Sequence, residues 1–431
     1  GLAGTNAQPN YSDISFNVDL GKSKIGNFSI FGIYGASDID FLGKDIDKED
    51  PFAAQDEDGY VTSLFGSIGL KHNLAIGRNS SLKTILGYSN SGNTYKNDRY
   101  YDFGTPEENK LRFSDVDNSE NRLTFSTLFN SKLSKKTTIR AGLLLENYTL
   151  KANTQTRNRQ EDADGDGYAD LVQIVDIDGN YNIVQPFAQG QFRLTEKLTF
   201  NAGIHGQYFS INEEFVFEPR TALSYAFNSS SSINFGYGLH HQSVPAPILF
   251  LNEFVNGNPV QTNRDLDLVQ SQHYVLSYDV RLGKRWRGKV EVYYQDISKA
   301  SIESFPSSYS TLTEGADFGY SIDKTSLVSK GKGFNQGIEF TAEKFFSDGY
   351  YALCTTSLFE SKYKGSDGIE RNSPFNNGYV FNLLGGKEFK IGKEKKNVFS
   401  IDTKFTTAGG RYYTPVDLQA SNDAGYEIRD D

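Results

Sequence analysis

The chain is organised as runs of alternating apolar and polar residues, each about ten or more residues long, joined in turn by short and long connections. In one run, for example, Val290, Val292 and Tyr294 alternate with charged or polar neighbours. Period-two alternation places apolar side chains on one face of a strand and polar side chains on the other. The short connections fall at residues 21–24, 78–81, 134–136, 195–197, 228–231, 283–285, 347–349 and 393–396. The long connections fall at residues 38–58, 97–115, 157–180, 244–267, 304–330 and 364–376, and only the connection at residues 212–214 is short where a long one is due.

Strands that alternate short turns at one end with long loops at the other predict an all-β fold, a transmembrane antiparallel up-and-down β-barrel. Counting the runs gives about sixteen strands in one unit that spans residues 1–431, with no helix. Short turns face the periplasm in such barrels and long loops face outside, so both ends of this chain are expected outside. No stretch of about 18 apolar residues is present, and a barrel needs none because its strands satisfy one another's backbone groups.

Composition excludes several other classes of protein. The formal net charge of −10 argues against nucleic-acid binding, which favours a basic surface. The single cysteine, Cys354, excludes a disulfide framework and a cysteine metal cluster. The five histidines show no nucleophile, base and orienting group in a recognisable pattern, so no enzyme activity is predicted.

Short motifs then follow one another in a fixed order over the second half of the chain, from about residue 217 to residue 420. They include Glu218-Pro219-Arg220, Phe235-Gly236-Tyr237-Gly238-Leu239-His240, Ser271-Gln272-His273-Tyr274, Gly331-Lys332-Gly333, Phe345-Phe346-Ser347-Asp348-Gly349-Tyr350-Tyr351 and Gly409-Gly410-Arg411-Tyr412-Tyr413. In order and spacing these motifs resemble the barrel of TonB-dependent outer-membrane receptors of the Bacteroidetes type. The first two hundred residues resemble that barrel more weakly.

The resemblance implies a barrel of twenty-two strands, closed by an N-terminal plug and energised by TonB. It implies that about three strands precede this chain and about three follow it, so that the chain is an internal part of a longer receptor. The plug and the TonB-binding box of that receptor would then lie outside this chain. The implied function is import of a scarce solute across the bacterial outer membrane. The implied partners are outer-membrane lipid, the TonB complex through the plug, a small solute and a surface lipoprotein.

The connection at residues 157–180 contains a spacing typical of calcium loops, D-x-D-x-D-G-x-x-D. Oxygens at positions 1, 3 and 5 of such a loop converge on one hard cation, and the glycine at position 6 permits a sharp turn. The last position carries a glutamine instead of a bidentate glutamate, which weakens a calcium site. The expected ligands are Asp162, Asp164, Asp166, Tyr168, Asp170 and Gln173. The alternative is a solvated acidic loop, and no other cofactor is expected.

Three side chains near the outer strand ends are candidate contacts for a solute: His240, Arg411 and Tyr412. His241 cannot easily share a metal with His240, because neighbouring strand residues point to opposite faces. A membrane-interface position explains Tyr412 equally well. The acidic stretch at residues 45–58 lacks regular ligand spacing and is interpreted as a solvated loop.

Three other functions remain open. A complete, passive sixteen-stranded porin fits the strand count and a polar lumen. A structural or adhesin barrel whose loops bind calcium fits the acidic motif. A barrel enzyme is disfavoured by the lack of a catalytic pattern.

Overall fold

The computed structural model describes residues 9–45, 55–157, 162, 164–255, 258–314, 324–412 and 415–424. The described chain is almost entirely β-structure, with two short helices and two 3-10 turns at Gly43–Asp45 and Thr311–Thr313. The helices are α1 (Ala246–Leu249) and α2 (Leu418–Ala424). The strands are β1 (Asn10–Ser23), β2 (Gly26–Leu42), β3 (Glu57–Ile76), β4 (Ser80–Tyr101), β5 (Asn109–Lys132), β6 (Thr137–Thr156), β7 (Val172–Arg193), β8 (Leu198–Phe209), β9 (Glu214–Asn228), β10 (Ser231–Gln242), β11 (Glu253–Val255), β12 (Asn258–Val260), β13 (Val269–Leu282), β14 (Trp286–Glu303), β15 (Leu327–Ser347), β16 (Tyr350–Lys364), β17 (Glu370–Asn372), β18 (Tyr379–Ile391) and β19 (Asn397–Ala408).

Every strand of the main sheet pairs antiparallel with its neighbours along the chain, from β1 through β10 and β13–β16 to β18 and β19. The sheet has 17 strands, of which β17 has only 3 residues, so about sixteen long strands form the wall, as predicted. The strands β11 and β12 form a separate hairpin in the connection after β10. Within the described part of the chain, no register pairs β1 with β19. The up-and-down sheet is confirmed, and the total of twenty-two strands stays a prediction.

The short connections lie where the alternation predicts them. Between β15 and β16, for example, Asp348 and Gly349 have φ values of +55° and +76°. Positive φ at both central residues is the geometry of a tight two-residue hairpin, and the Asp-Gly pair favours it.

The predicted long connections at residues 38–58, 97–115, 157–180 and 304–330 are shorter than expected, because the outer ends of the strands continue into them. β4 and β5 leave only residues 102–108 unpaired, and β7 begins at Val172. Cross-strand ion pairs accompany these extensions, with Arg99 2.5 Å from Glu57 and Arg112 2.8 Å from Asp98. The absence of helices was also a wrong prediction, since α1 and α2 lie within the outer connections.

The acidic stretch at residues 45–58 is not a simple solvated loop, although residues 46–54 lie outside the described chain. Glu57 and Asp58 belong to β3, and the Asp58 side chain is almost fully buried. Its carboxylate accepts hydrogen bonds from Lys110 Nζ at 2.7 Å, Tyr100 Oη at 2.8 Å and the Gly43 N–H at 2.8 Å. Burial raises the pKa of Asp58, but these hydrogen bonds outweigh burial and hold the pKa below its usual value.

The two faces of the wall differ in chemistry. One face exposes large apolar side chains, which suits contact with lipid. Examples from this face are Phe235, Tyr274, Leu276, Val292, Tyr294 and Leu358. The residues between them point to the opposite face, which is polar and is called the inner face below. No helix in the described chain is both long and apolar enough to span a membrane.

The described chain has one apolar core, and it lies at the outer end of the wall. The connection at residues 243–268, which includes α1, packs there against β6, β7 and β8. Leu150 shares the inner face of β6 with Glu146, four residues away. The connection therefore folds over the inner face at the outer end of these strands. The core consists of Leu150, Ala152, Val175, Ile177, Tyr181, Phe209, Ile211, Val244, Ile248, Leu249, Phe250, Leu251, Leu266, Leu268 and Leu327.

Candidate functional site: the inner wall below the outer mouth

An aromatic layer forms the underside of the folded-in connection. The rings of Tyr148 and Tyr181 stack with centroids 4.7 Å apart and an interplanar angle of 2°. Phe209 meets Tyr181 edge-on at 5.7 Å. Beside this layer, Arg122 lies 3.4 Å from Glu146 on the inner face. Flat rings next to a charged pair provide both apolar and polar contact for a solute that enters from outside.

A buried carboxylate joins three neighbouring strands of the same wall. Glu218 on β9 is only 1% exposed, and its Oε2 lies 2.7 Å from His205 Nδ1 on β8. Arg220 donates to the same oxygen at 2.8 Å. The backbone ladder between β9 and β10 ends at Arg220 and Gly238, and beyond it the N–H of His241 donates to Glu218 Oε1 at 2.6 Å. The Glu218 carboxylate therefore accepts the His241 N–H in place of a backbone carbonyl of β9. The same carboxylate holds the side chains of Arg220 and His205 on the inner face.

Two further histidines lie next to this carboxylate cluster. The rings of His240 on β10 and His273 on β13 have centroids 4.6 Å apart and are tilted by 46°. His273 Nε2 lies 2.8 Å from Ser271 Oγ. Gly238 faces His273 across the ladder, and a Cβ at Gly238 would lie 2.7 Å from His240 Nε2. Because Gly238 has no side chain, the rings of His240 and His273 have room to contact each other.

The acidic motif forms a compact turn on the surface. Asp162, Asp164 and Asp166 are exposed, and each offers a carboxylate oxygen within 4.8 Å of the others. The same side chains accept backbone N–H groups of the turn, including Gly165 to Asp162 Oδ1 at 2.7 Å and Tyr168 to Asp166 Oδ1 at 2.8 Å. These bonds shape the loop, so three of the predicted calcium ligands converge.

The remaining predicted calcium ligands, the Tyr168 carbonyl and the side chains of Asp170 and Gln173, follow this turn along the chain. The Tyr168 ring contacts Tyr101 at a centroid distance of 4.7 Å. Asp170 lies half-buried outside the group of three carboxylates. Gln173 belongs to β7, where it faces Gln155. The calcium site itself stays a prediction.

The candidate solute contacts do not form one site. His240 lies on the polar inner wall, whereas Arg411 and Tyr412 are exposed beyond the end of β19. The strands β13–β16 and β18 separate β19 from β10 along the sheet. Of these three, His240 lies in a cluster of polar and titratable side chains on the inner face, and its contact with a solute stays a prediction.

Sequence reasoning missed four members of this cluster: His205, Glu218, Arg220 and His273. Their signal was present, because four of the five histidines lie in the segment 205–273. Finding it required the strand register, which pairs His205 with Glu218 and Gly238 with His273. Period-two alternation gives the face of each residue but not its partner on the next strand.

Comparison with known proteins identifies the family of this chain and solved structures with a similar fold. Residues 4–430 match the family described as TonB dependent receptor-like, beta-barrel. A search of curated proteins finds no match. The pyoverdine outer membrane receptor FpvA from Pseudomonas aeruginosa PAO1 superposes with a TM-score of 0.66 at 13% identity, covering 96% of this chain and 64% of the receptor.

Two other solved structures show the same fold. The ferric-catecholate import receptor Fiu from E. coli K12 superposes with a TM-score of 0.64 at 11% identity, covering 91% of this chain and 63% of Fiu. The RagAB peptide importer superposes with a TM-score of 0.61 at 9% identity, covering 95% of this chain and 59% of the importer chain. The chain spans about three-fifths of the length of these solved receptors. Members of the family are receptors and transporters rather than enzymes. The family match over nearly the whole chain shows that this protein belongs to the TonB-dependent receptor-like β-barrels of the outer membrane.

Proposed function

We propose that the chain is the barrel of a receptor that binds a scarce solute at its outer mouth and imports it with energy delivered through TonB. Membership of the TonB-dependent receptor-like family supports the proposal. The similar solved structures include a ferric-catecholate import receptor, a receptor bound to pyoverdine and a peptide importer. The solute of this chain is accordingly proposed to be a small polar molecule. A surface lipoprotein partner and the Bacteroidetes-type assignment stay predictions of the sequence resemblance.

The observation that carries the proposal is the folded-in connection at residues 243–268. Its buried Asn263 is 0% exposed and donates to the carbonyls of Ile248 at 3.2 Å and Lys324 at 2.8 Å. Its Oδ1 accepts the N–H of Leu327 at 2.9 Å. These bonds fix the connection over the inner wall, beside a polar, aromatic surface. An inner wall covered and lined in this way suits capture of a solute better than free diffusion.

The decisive experiment compares this function with that of a passive porin. The full-length receptor, purified without an affinity tag, is reconstituted into planar bilayers in potassium chloride. We expect no lasting open-channel current, together with co-purification of the periplasmic domain of TonB. Steady single-channel conductance without TonB binding would support the porin and overturn the import proposal.

We also propose that the turn at residues 162–170 binds calcium outside the cell. Three converging carboxylates support this assignment, since calcium prefers oxygen ligands and carboxylates supply charge. The glutamine at position 173 predicts weak affinity, in the range of extracellular calcium modules at about 0.1–1 mM.

Calorimetric titration of calcium tests the second assignment. Asp164→Asn is expected to abolish the heat of binding, because it removes one of the three converging carboxylates. The matched control is Asp178→Asn, which removes an exposed aspartate on β7. The Asp178 carboxylate lies 3.8 Å from Lys151 Nζ on β6. Equal titrations for the wild type and Asp164→Asn would exclude the site.

A further inference from the structure

The inner wall contains a concentration of imidazoles that the import function does not use. Three of them, His205, His240 and His273, lie on the neighbouring strands β8, β10 and β13, around Glu218 of β9, and His241 follows His240 on β10 beside the same carboxylate. The His205 ring bonds the Glu218 carboxylate through Nδ1. The backbone N–H of His241 donates to the same carboxylate, and the His241 ring lies beside it. His240 and His273 instead meet each other. Their side chains are half-buried, so solvent reaches this pair from the lumen.

We propose that His240 and His273 form a two-imidazole site for a divalent transition-metal ion on the inner wall of the barrel. Imidazole nitrogen is a preferred ligand of nickel, copper and zinc. A metal lies about 2 Å from a coordinating imidazole nitrogen, so two rings that share one metal at roughly a right angle have centres about 4.5 Å apart. The observed centroid distance of 4.6 Å matches this geometry.

The surroundings orient the pair. In the proposed site His273 Nε2–H donates to Ser271 Oγ at 2.8 Å, which leaves the lone pair of Nδ1 for the metal. The Nδ1 atom lies 3.5 Å from the Gln295 side-chain amide, which can turn away when a metal enters. Gly238 supplies the space for the His240 ring, since a Cβ there would lie 2.7 Å from His240 Nε2.

Charge near the pair favours a metal that carries an anionic ligand. Glu218 accepts a hydrogen bond from Arg220 at 2.8 Å, but the Arg220 side chain is still 47% exposed. An exposed guanidinium attracts carboxylates through paired N–H donors. Two imidazoles occupy two positions of the metal, and the remaining positions are open to water or to such a ligand. The metal is therefore expected to bind either as the hydrated ion or as an anionic chelate with two open positions.

The test uses the untagged full-length protein in detergent, with nickel chloride and the nickel complex of nitrilotriacetate as separate probes. The nitrilotriacetate complex is anionic and has two open positions, so two imidazoles can displace its water. We expect His240→Gln and His273→Gln each to weaken binding of both probes at least tenfold. Arg220→Gln is expected to weaken binding of the anionic complex relative to binding of nickel chloride, because loss of the positive charge disfavours an anion and favours a cation. If both probes respond equally to Arg220→Gln, the anionic chelate is excluded as the preferred form.

Two further variants keep the result interpretable. His72→Gln is the matched control, because His72 stacks on Phe28 with centroids 4.4 Å apart and lies away from the pair. Gly238→Ala keeps both histidines but fills the space beside His240, and it is expected to weaken nickel binding. Folding of each variant is checked by the shift of the unheated barrel on a denaturing gel. Unchanged nickel binding in folded His240→Gln, or equal loss in His72→Gln, would overturn the proposal. The site needs no coupling to TonB, so this outcome is independent of the import experiment.

Discussion

Two parts of the same sheet differ in what covers them. At the outer end of β6–β8 the inner face is covered by the connection at residues 243–268, and fifteen buried apolar residues form a core there. In β1 every residue is exposed, and in β19 all but one are exposed. The strands of both regions carry the same alternation of apolar and polar residues. In the described part of the chain, the core thus forms where the chain folds back over the inner face of its own wall.

The largest expected effect tests whether that core is stabilising. Ile177→Ala removes a side chain that is 4% exposed on the inner face of β7, and large-to-small changes in a core cost about 2–5 kcal/mol. The matched control is Ile174→Ala on the same strand, where the side chain is 40% exposed and the cost is expected below about 1 kcal/mol. Urea unfolding measures the loss of unfolding free energy in both variants, and limited proteolysis measures cleavage of the connection at residues 243–268. Equal costs would show that covering the inner face contributes nothing.

A smaller effect is expected from the buried amide that fixes the connection. Asn263→Ala leaves two carbonyls and one N–H of the connection without their side-chain partner, which costs about 2–3 kcal/mol. In the uncovered region, Asn382 of β18 bonds Thr355 at 3.3 Å and Thr406 at 2.9 Å. Because Asn382 is only half-buried, Asn382→Ala is expected to cost less than about 1 kcal/mol. Limited proteolysis measures the effect on the connection at residues 243–268. Cleavage there in Asn263→Ala but not in Asn382→Ala would support the difference between the two regions, and cleavage in both variants would contradict it.

The smallest effect concerns pH and the outer extension of β3–β5. Because the pKa of Asp58 is lowered in the folded chain, its contribution is fully present above the unfolded value of about 3.9. That contribution is lost as the pH falls through the lowered folded value. Hydrogen-exchange protection of residues 57–62 should therefore decrease below about pH 3.9 in the wild type, and the dependence should be weaker in Asp58→Asn.

Asp402→Asn provides the control in the uncovered region. Asp402 is exposed on β19 and accepts a hydrogen bond from Tyr351 Oη at 2.7 Å. Its removal should leave the pH dependence of residues 57–62 unchanged. A pH profile of Asp58→Asn identical to that of the wild type would exclude the Asp58 network as its cause.

Much of the fold was predictable because strand alternation and turn residues are local properties. Val290, Val292 and Tyr294 reveal their face through period two, and the Asp348-Gly349 pair adopts the positive φ values that a tight hairpin requires. These local signals also predicted the number of long strands and the eight short turns. Asp162, Asp164 and Asp166 converge for the same reason, since they are close in sequence and lie within one turn, while calcium binding there stays a prediction.

The tertiary structure decided the features that depend on pairing between distant segments. The sequence shows His240 on the polar face of a strand, but only the register of β10 and β13 brings its ring next to His273. Burial of Asp58 depends on Lys110, which is 52 residues away. The covered mouth likewise arises because Ile248 and Leu249 find apolar partners on β6–β8. Local alternation thus determined the strands and their faces, whereas contacts across strands and connections decided the site, because their geometry is set only when the whole sheet has formed.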